Sequence, residues 1–131
     1  MNPNTIKVIA VVFISLLFLT SAFDKILNFG STVQNHLERI NTTFLSGLVN
    51  QKAAEVSIIL AILMLIIGPM LMTIGVYTEN MSLIKIGAGL LIFFLIFATL
   101  LYHPIFDAIQ RPQFFKNLAI IGSLMLLLVQ C

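Results

Sequence analysis

Charge is the scarcest ingredient of this chain. Of its 131 residues 9% are charged and 60% are hydrophobic. A soluble domain averages about 25% charged residues. Seven Lys and Arg with five Asp and Glu cannot cover the surface that a soluble core of this length requires. A net charge of +2 is too small to argue for nucleic acid, and none is expected as a partner. Cysteine is nearly absent: Cys131 alone excludes an internal disulfide or a thiolate metal cluster within one chain. Two histidines, His36 and His103, are too few to assert a metal site, so no metal is expected. There is no G-x-G-x-x-G, P-loop, C-x-x-C or serine–histidine arrangement. No intrinsic cofactor is expected, and enzymatic activity is left open.

What fills the chain is apolar sequence, with a mean hydropathy of +1.09. Four apolar runs stand at about 6–27, 53–76, 83–103 and 114–130. Each approaches the roughly 20 residues that a membrane-spanning helix needs. Backbone in lipid must satisfy its own hydrogen bonds, so the runs are helices and not open strands. The first run, behind Lys7, is long for a signal peptide and lacks a small-x-small cleavage site. The fold class expected is all-α: an integral membrane four-helix bundle, one transmembrane domain over 1–131. Gly68-Pro69 inside the second run predicts a kink. Gly87 and Gly89 in the third permit close helix contact.

The only long polar segment follows the first run. Ser31 and Gln34 form a capping-box pattern. Val33, Leu37, Ile40 and Phe44 then recur at helical spacing. This predicts a short amphipathic helix over about 31–46, on the membrane surface or folded back onto the bundle, or simply a connecting helix. Asn41-Thr42-Thr43 matches a glycosylation acceptor, a pattern common by chance.

Alternation across the bilayer brings polar residues together. The end of the first span, the start of the second, the end of the third and the start of the fourth share one membrane face. That face receives Asp24, Lys25, Glu55, His103, Asp107, Arg111, Lys116 and Asn117; the other receives Lys7, Glu79 and Lys85. Lys25, Glu55, His103 and Asn117 are the primary candidates for a polar or ligand site. Asp24, Asp107, Arg111 and Lys116 are secondary. A carboxylate near hydrocarbon needs a partner, a proton or water, and Lys25 stands at the depth of Glu55. An ion pair between helices would serve structure alone. His103 and Asp107 are four apart, a spacing that orients an imidazole if the helix continues past Pro104. Asn117 reads as interhelical glue. One network joining Lys25, Glu55 and Asn117 is expected. Counting basic residues puts the polar face inside and both termini outside.

Several phrases carry a resemblance. They are Ser21-Ala22-Phe23-Asp24-Lys25-Ile26-Leu27-Asn28-Phe29, Glu55 opening the second helix, Ile67-Gly68, Ile74-Gly75, Ala98-Thr99-Leu100-Leu101-Tyr102-His103-Pro104, and Phe114-Phe115-Lys116-Asn117-Leu118-Ala119-Ile120-Ile121-Gly122. With them the chain resembles the DoxX-like family of small four-helix membrane proteins. Ala22 stands where the family usually has glycine, no double glycine follows Glu55, and Ser123 replaces a second glycine in the last helix. The resemblance implies a bacterial-type inner (plasma) membrane protein. Some members are described as subunits of quinone-linked sulfur oxidation or membrane redox complexes, and related eukaryotic proteins as assembly factors. The functional expectation is a subunit or accessory of a quinone-linked redox system. Quinone would be a bound ligand, and the partners would be the lipid bilayer, a membrane or peripheral redox protein, or a second copy in a homo-oligomer. The alternative is a non-catalytic membrane scaffold, assembly factor or small-molecule binder.

Overall fold

A computed structural model describes residues 2–43, 46–102, 108–109 and 111–130. Five helices follow in order: α1 (Pro3–Leu27), α2 (Phe29–Ile40), α3 (Gln51–Tyr77), α4 (Met81–Tyr102) and α5 (Arg111–Gln130). There is no strand among the described residues. Helices α1, α3, α4 and α5 are long and apolar enough to cross a membrane. This is a multi-pass integral membrane protein: a four-helix bundle with one additional short helix.

The spans begin where local chemistry starts them. The Asn2 side chain accepts from the backbone of Asn4 at 2.8 Å, and Pro3 stands at the first helical position of α1. Asn50 caps α3 through the backbone N–H of Ala53, also at 2.8 Å. Asn80 accepts from the backbone of Ser82 and Leu83 at the start of α4. Inside the spans Thr20, Ser57, Thr73 and Ser123 each donate to the carbonyl four residues back. Their hydroxyls are thus satisfied without leaving the helix. Helix α3 runs through Pro69 without interruption, and Pro69 is buried.

Helix α3 is central. It packs against α1 on one side and α4 on the other, and α5 lies on α4. One apolar core joins Val11, Phe18 and Ala22 of α1, Leu65 and Met72 of α3, Ile84, Ala88, Leu91 and Leu95 of α4, and Leu124 and Leu127 of α5. The α3–α4 seam is close because glycine lines it. A Cβ at Gly87 would stand 2.5 Å from the carbonyl oxygen of Gly68, and one at Gly75 would stand 2.8 Å from the backbone nitrogen of Ile84. Gly89 does not share this role: nothing lies within 4 Å of the Cβ it would carry. The helical step of two residues turns it about 200° away from Gly87, and Gly68 and Gly75 of α3 complete the seam instead.

Helix α2 begins two residues before the capping box expected from Ser31 and Gln34. Asn28 is the joint. Its backbone N–H and its side-chain amide both donate to the Asp24 carbonyl, at 3.0 and 3.1 Å. Its own carbonyl accepts from Thr32 at 2.9 Å and from the Ser31 hydroxyl at 3.1 Å. Ser31 is therefore a donor to the joint and not the cap, while Gln34 reaches across to Gln51 at 3.2 Å. The apolar face behaves as its spacing predicts. Val33 packs with Ala54 and Ile58 of α3, with Phe29, Leu37, Val49 and Ile62 around them. The segment folds back onto the bundle. Phe44 lies outside the described residues.

Candidate functional site

Contacts between distant parts of the chain establish which helix ends share a face. Ile26 of α1 and Ile59 of α3 line one cleft, while Lys7 of α1 and Glu79 after α3 line another at the opposite end. Gln34 of α2 reaches the first residue of α3. Arg39 reaches the end of α4, and Asn117 of α5 reaches Thr99 of α4. The polar end is thus built by the last turns of α1 and α4, the first turns of α3 and α5, and α2.

Lys25 is half-buried on α1 and its ammonium donates to the Ser21 hydroxyl at 2.9 Å, one turn back. Asp24 is exposed. Glu55 is half-buried and stands one turn inside α3, because the helix starts at Gln51. It has no hydrogen bond or ion pair among the described residues. Asn117 is buried at 8% exposure and donates to the hydroxyl of Thr99, itself 3% exposed, at 3.0 Å. Lys116 is exposed, and Arg111 is the exposed first residue of α5. His103 and Asp107 lie outside the described residues.

Among the described residues the expected network of Lys25, Glu55 and Asn117 is not formed. All three stand near one end of the bundle, but α5 packs on α4 and makes no comparable seam with α1. Asn117 therefore meets α4, and Lys25 turns back along its own helix. What remains near Lys25 and Glu55 is an apolar cleft of about 260 Å³ lined by Ile26, Phe29, Ile59, Ile62 and Leu63. Glu55, Ile59, Ile62 and Leu63 recur at the spacing of one helical face. The carboxylate stands one turn above that cleft on α3, and Lys25 precedes Ile26 on α1.

Two residues escaped the sequence reading. Arg39 is half-buried, and its Nε donates to the Leu101 carbonyl at 2.6 Å. A cation on the last carbonyls of α4 satisfies an acceptor of the helix's last turn and complements the negative end of the helix. The available signal was its place beside Ile40 on the inward side of α2. Thr99 was quoted only within a phrase of the resemblance; nothing in its spacing to Asn117 marks the pair. His36, on the same side of α2 as Arg39, is half-buried, and burial pushes its pKa below the ordinary value of 6.5. Among the described residues, no three His, Cys, Asp or Glu come together as a metal site.

No curated protein and no solved structure matches the chain. A family model does: it is that of DoxX, and it covers residues 7–104. The match takes in α1 to α4 and stops before α5, so the phrase from Phe114 to Gly122 lies outside it. Four membrane-spanning helices are what the resemblance implied; the matched stretch runs through the first three of them, and the chain belongs to the DoxX family.

Proposed function

We propose that this protein is a membrane-embedded accessory subunit of a quinone-linked redox system, with the α1–α2–α3 cleft as its ligand site. The observation that carries this reading is the position of Glu55, a half-buried carboxylate with no partner among the described residues, one turn above an apolar cleft of about 260 Å³. Ligand sites are mostly apolar with a few convergent polar groups. An isoprenoid quinone has that division: an apolar body and two polar oxygens. Ile59, Ile62 and Leu63 would hold the body, while Lys25 would donate to an oxygen and Glu55 would accept a hydrogen bond from a hydroxyl of the reduced, quinol form. A bound quinone supplies two-electron, two-proton redox chemistry. The residues of this chain supply orientation, exclusion of water and a proton-accepting oxygen on Glu55. Electrons come from a partner protein or a diffusible donor.

The test is affinity of the purified protein in detergent for the reduced quinol, the form whose hydroxyls can donate to Glu55. Glu55→Gln should weaken binding by about tenfold or more, since one hydrogen bond to a charged group is worth roughly 1.5–3 kcal/mol. Ile62→Trp should abolish it by filling the cleft. His103→Ala tests whether the residue ending the third apolar run takes part. Unchanged affinity in all three variants would remove this cleft from the role. Copurification from native membranes then separates a redox subunit, which brings a flavoprotein or sulfur enzyme, from an assembly factor, which brings a transporter or receptor client.

A further inference from the structure

The opposite end of the bundle carries a second cleft that the proposed redox role does not use. It encloses about 270 Å³ between the start of α1 and the α3–α4 turn, and its walls are Asn4, Lys7, Val8, Val76, Glu79, Met81 and Ile84. It holds one ammonium and one carboxylate. Among the described residues these two make no ion pair, with each other or with any other group. Both side chains are long and flexible, yet each lines the cleft separately.

The carboxylate is there at a conformational cost. Thr78 closes α3, and the N–H of Asn80 returns to the carbonyl of Gly75 at 2.8 Å. This is the hydrogen bond of a Schellman cap, in which the residue after the C-cap takes the left-handed conformation that glycine prefers. Glu79 occupies that position with φ of 55°. It also puts a negative charge at the negative end of α3, where a cation is favoured. Lys7 has the converse setting. It stands in the second turn of α1, and α4 also begins beside the cleft, so two positive helix ends face this region.

We propose that this cleft binds the head group of a zwitterionic phospholipid of the ethanolamine class, its phosphate at Lys7 and its ammonium at Glu79. Val8, Val76 and Ile84 receive the glycerol end, and the exposed apolar side chains Ile6, Ile9 and Phe13 carry the acyl chains along α1. The apolar wall and the position at a membrane face select a lipid over a soluble ion. An ethanolamine ammonium offers three N–H donors to a carboxylate. A choline head group offers none, and a glycerol head group carries no positive charge.

Delipidated full-length protein in detergent, titrated with dioleoyl phosphatidylethanolamine, phosphatidylcholine and phosphatidylglycerol, tests this by native mass spectrometry. The ethanolamine lipid should bind several-fold tighter than the other two. Glu79→Gly should erase that preference without lowering the melting temperature, since glycine fits the left-handed position. Lys7→Gln should weaken all three lipids by about fivefold, the effect of one basic residue at an anionic surface. Equal binding of the three lipids to the parent protein, or a preference that survives Glu79→Gly, would overturn the assignment. O-phosphoethanolamine at the same concentrations should give no measurable occupancy. Occupancy matching that of the lipid would overturn the lipid reading in favour of a soluble phosphoamine.

Discussion

Helix α4 is held on its two sides by different means. Toward α3 backbone approaches backbone, because Gly68, Gly75 and Gly87 present no side chain there and leave room for Leu91, Ile84 and Met72 to pack directly over them. Toward α5 it is side chain against side chain: Leu124 and Leu127 join the common core, and one amide–hydroxyl pair ties Asn117 to Thr99. The difference extends to coverage. A third of the most apolar stretch of α3 and of α4 is buried (33% each), against 17% for α5. In lipid there is no hydrophobic force between helices, so close packing and hydrogen bonds supply association. A glycine seam tolerates no added atoms; a leucine seam with one polar clasp can slide and repack.

The largest effect should come from adding bulk to the tight side. Gly87→Leu forces its Cβ into the Gly68 carbonyl and the Met72 backbone. Overpacking of this kind costs about 1–3 kcal/mol or more, read as a lower midpoint of unfolding in mixed micelles. Gly89→Ala is the matched control: it meets open space, and should leave stability equal or higher by up to about 1 kcal/mol. If both variants fall together, α4 is not seated on α3 through Gly87. Next in size is Arg39→Gln, which removes the cation from the Leu101 carbonyl. A loss of about 1.5 kcal/mol is expected, seen as faster amide exchange in α2 with α3 unchanged. Exchange that rises equally in both helices would mean that α2 is not held by this contact.

Smaller again is the clasp on the loose side. Side-chain hydrogen bonds in membranes average about 0.6 kcal/mol. Asn117→Leu should leave a folded protein, and a double-mutant cycle with Thr99→Val should return a coupling of that order. A coupling of zero would make the 3.0 Å contact energetically irrelevant. The smallest effect is protonic. Burial places the docked pKa of His36 below the ordinary 6.5, so the undocked state takes up its proton first. The contribution is complete above 6.5 and is lost as the pH falls from there through the lower docked value. Exchange protection of α2 should weaken on acidification, and His36→Gln should flatten that response.

The spans were legible because the bilayer imposes one demand, a long apolar helix, that composition alone reveals. The folded-back α2 was legible for a related reason: Val33, Leu37 and Ile40 form one apolar stripe. Depth was legible too, since alternation assigns each helix end to a face. Azimuth was not. Lys25, Glu55 and Asn117 share an end of the bundle, but which helices are neighbours depends on side-chain fit along the whole length. That choice set Asn117 against Thr99 and left Glu55 above the cleft. The same limit explains the glycines. Gly87 and Gly89 look alike in sequence, and only the seating of α3 distinguishes the buried one. Asn28 was hidden for a different reason: Ser31 offers a recognised capping pattern, whereas a single asparagine that ends one helix and starts the next has no pattern of its own.

That joint has a mechanical consequence. No linker separates Leu27 from Phe29, and the hydrogen bonds of Asn28 run to both sides of it. The rotational phase of α2 is therefore inherited from α1. A single inserted residue at Asn28 would turn α2 by about 100°, carrying Val33 and Leu37 off α3 and Arg39 off the end of α4. After Ile40, by contrast, the described residues 41–43 and 46–50 form no helix whose phase must be kept before Gln51. Length variation between the first two spans has one permissive end and one forbidden end, and the forbidden end borders the cleft beneath Glu55.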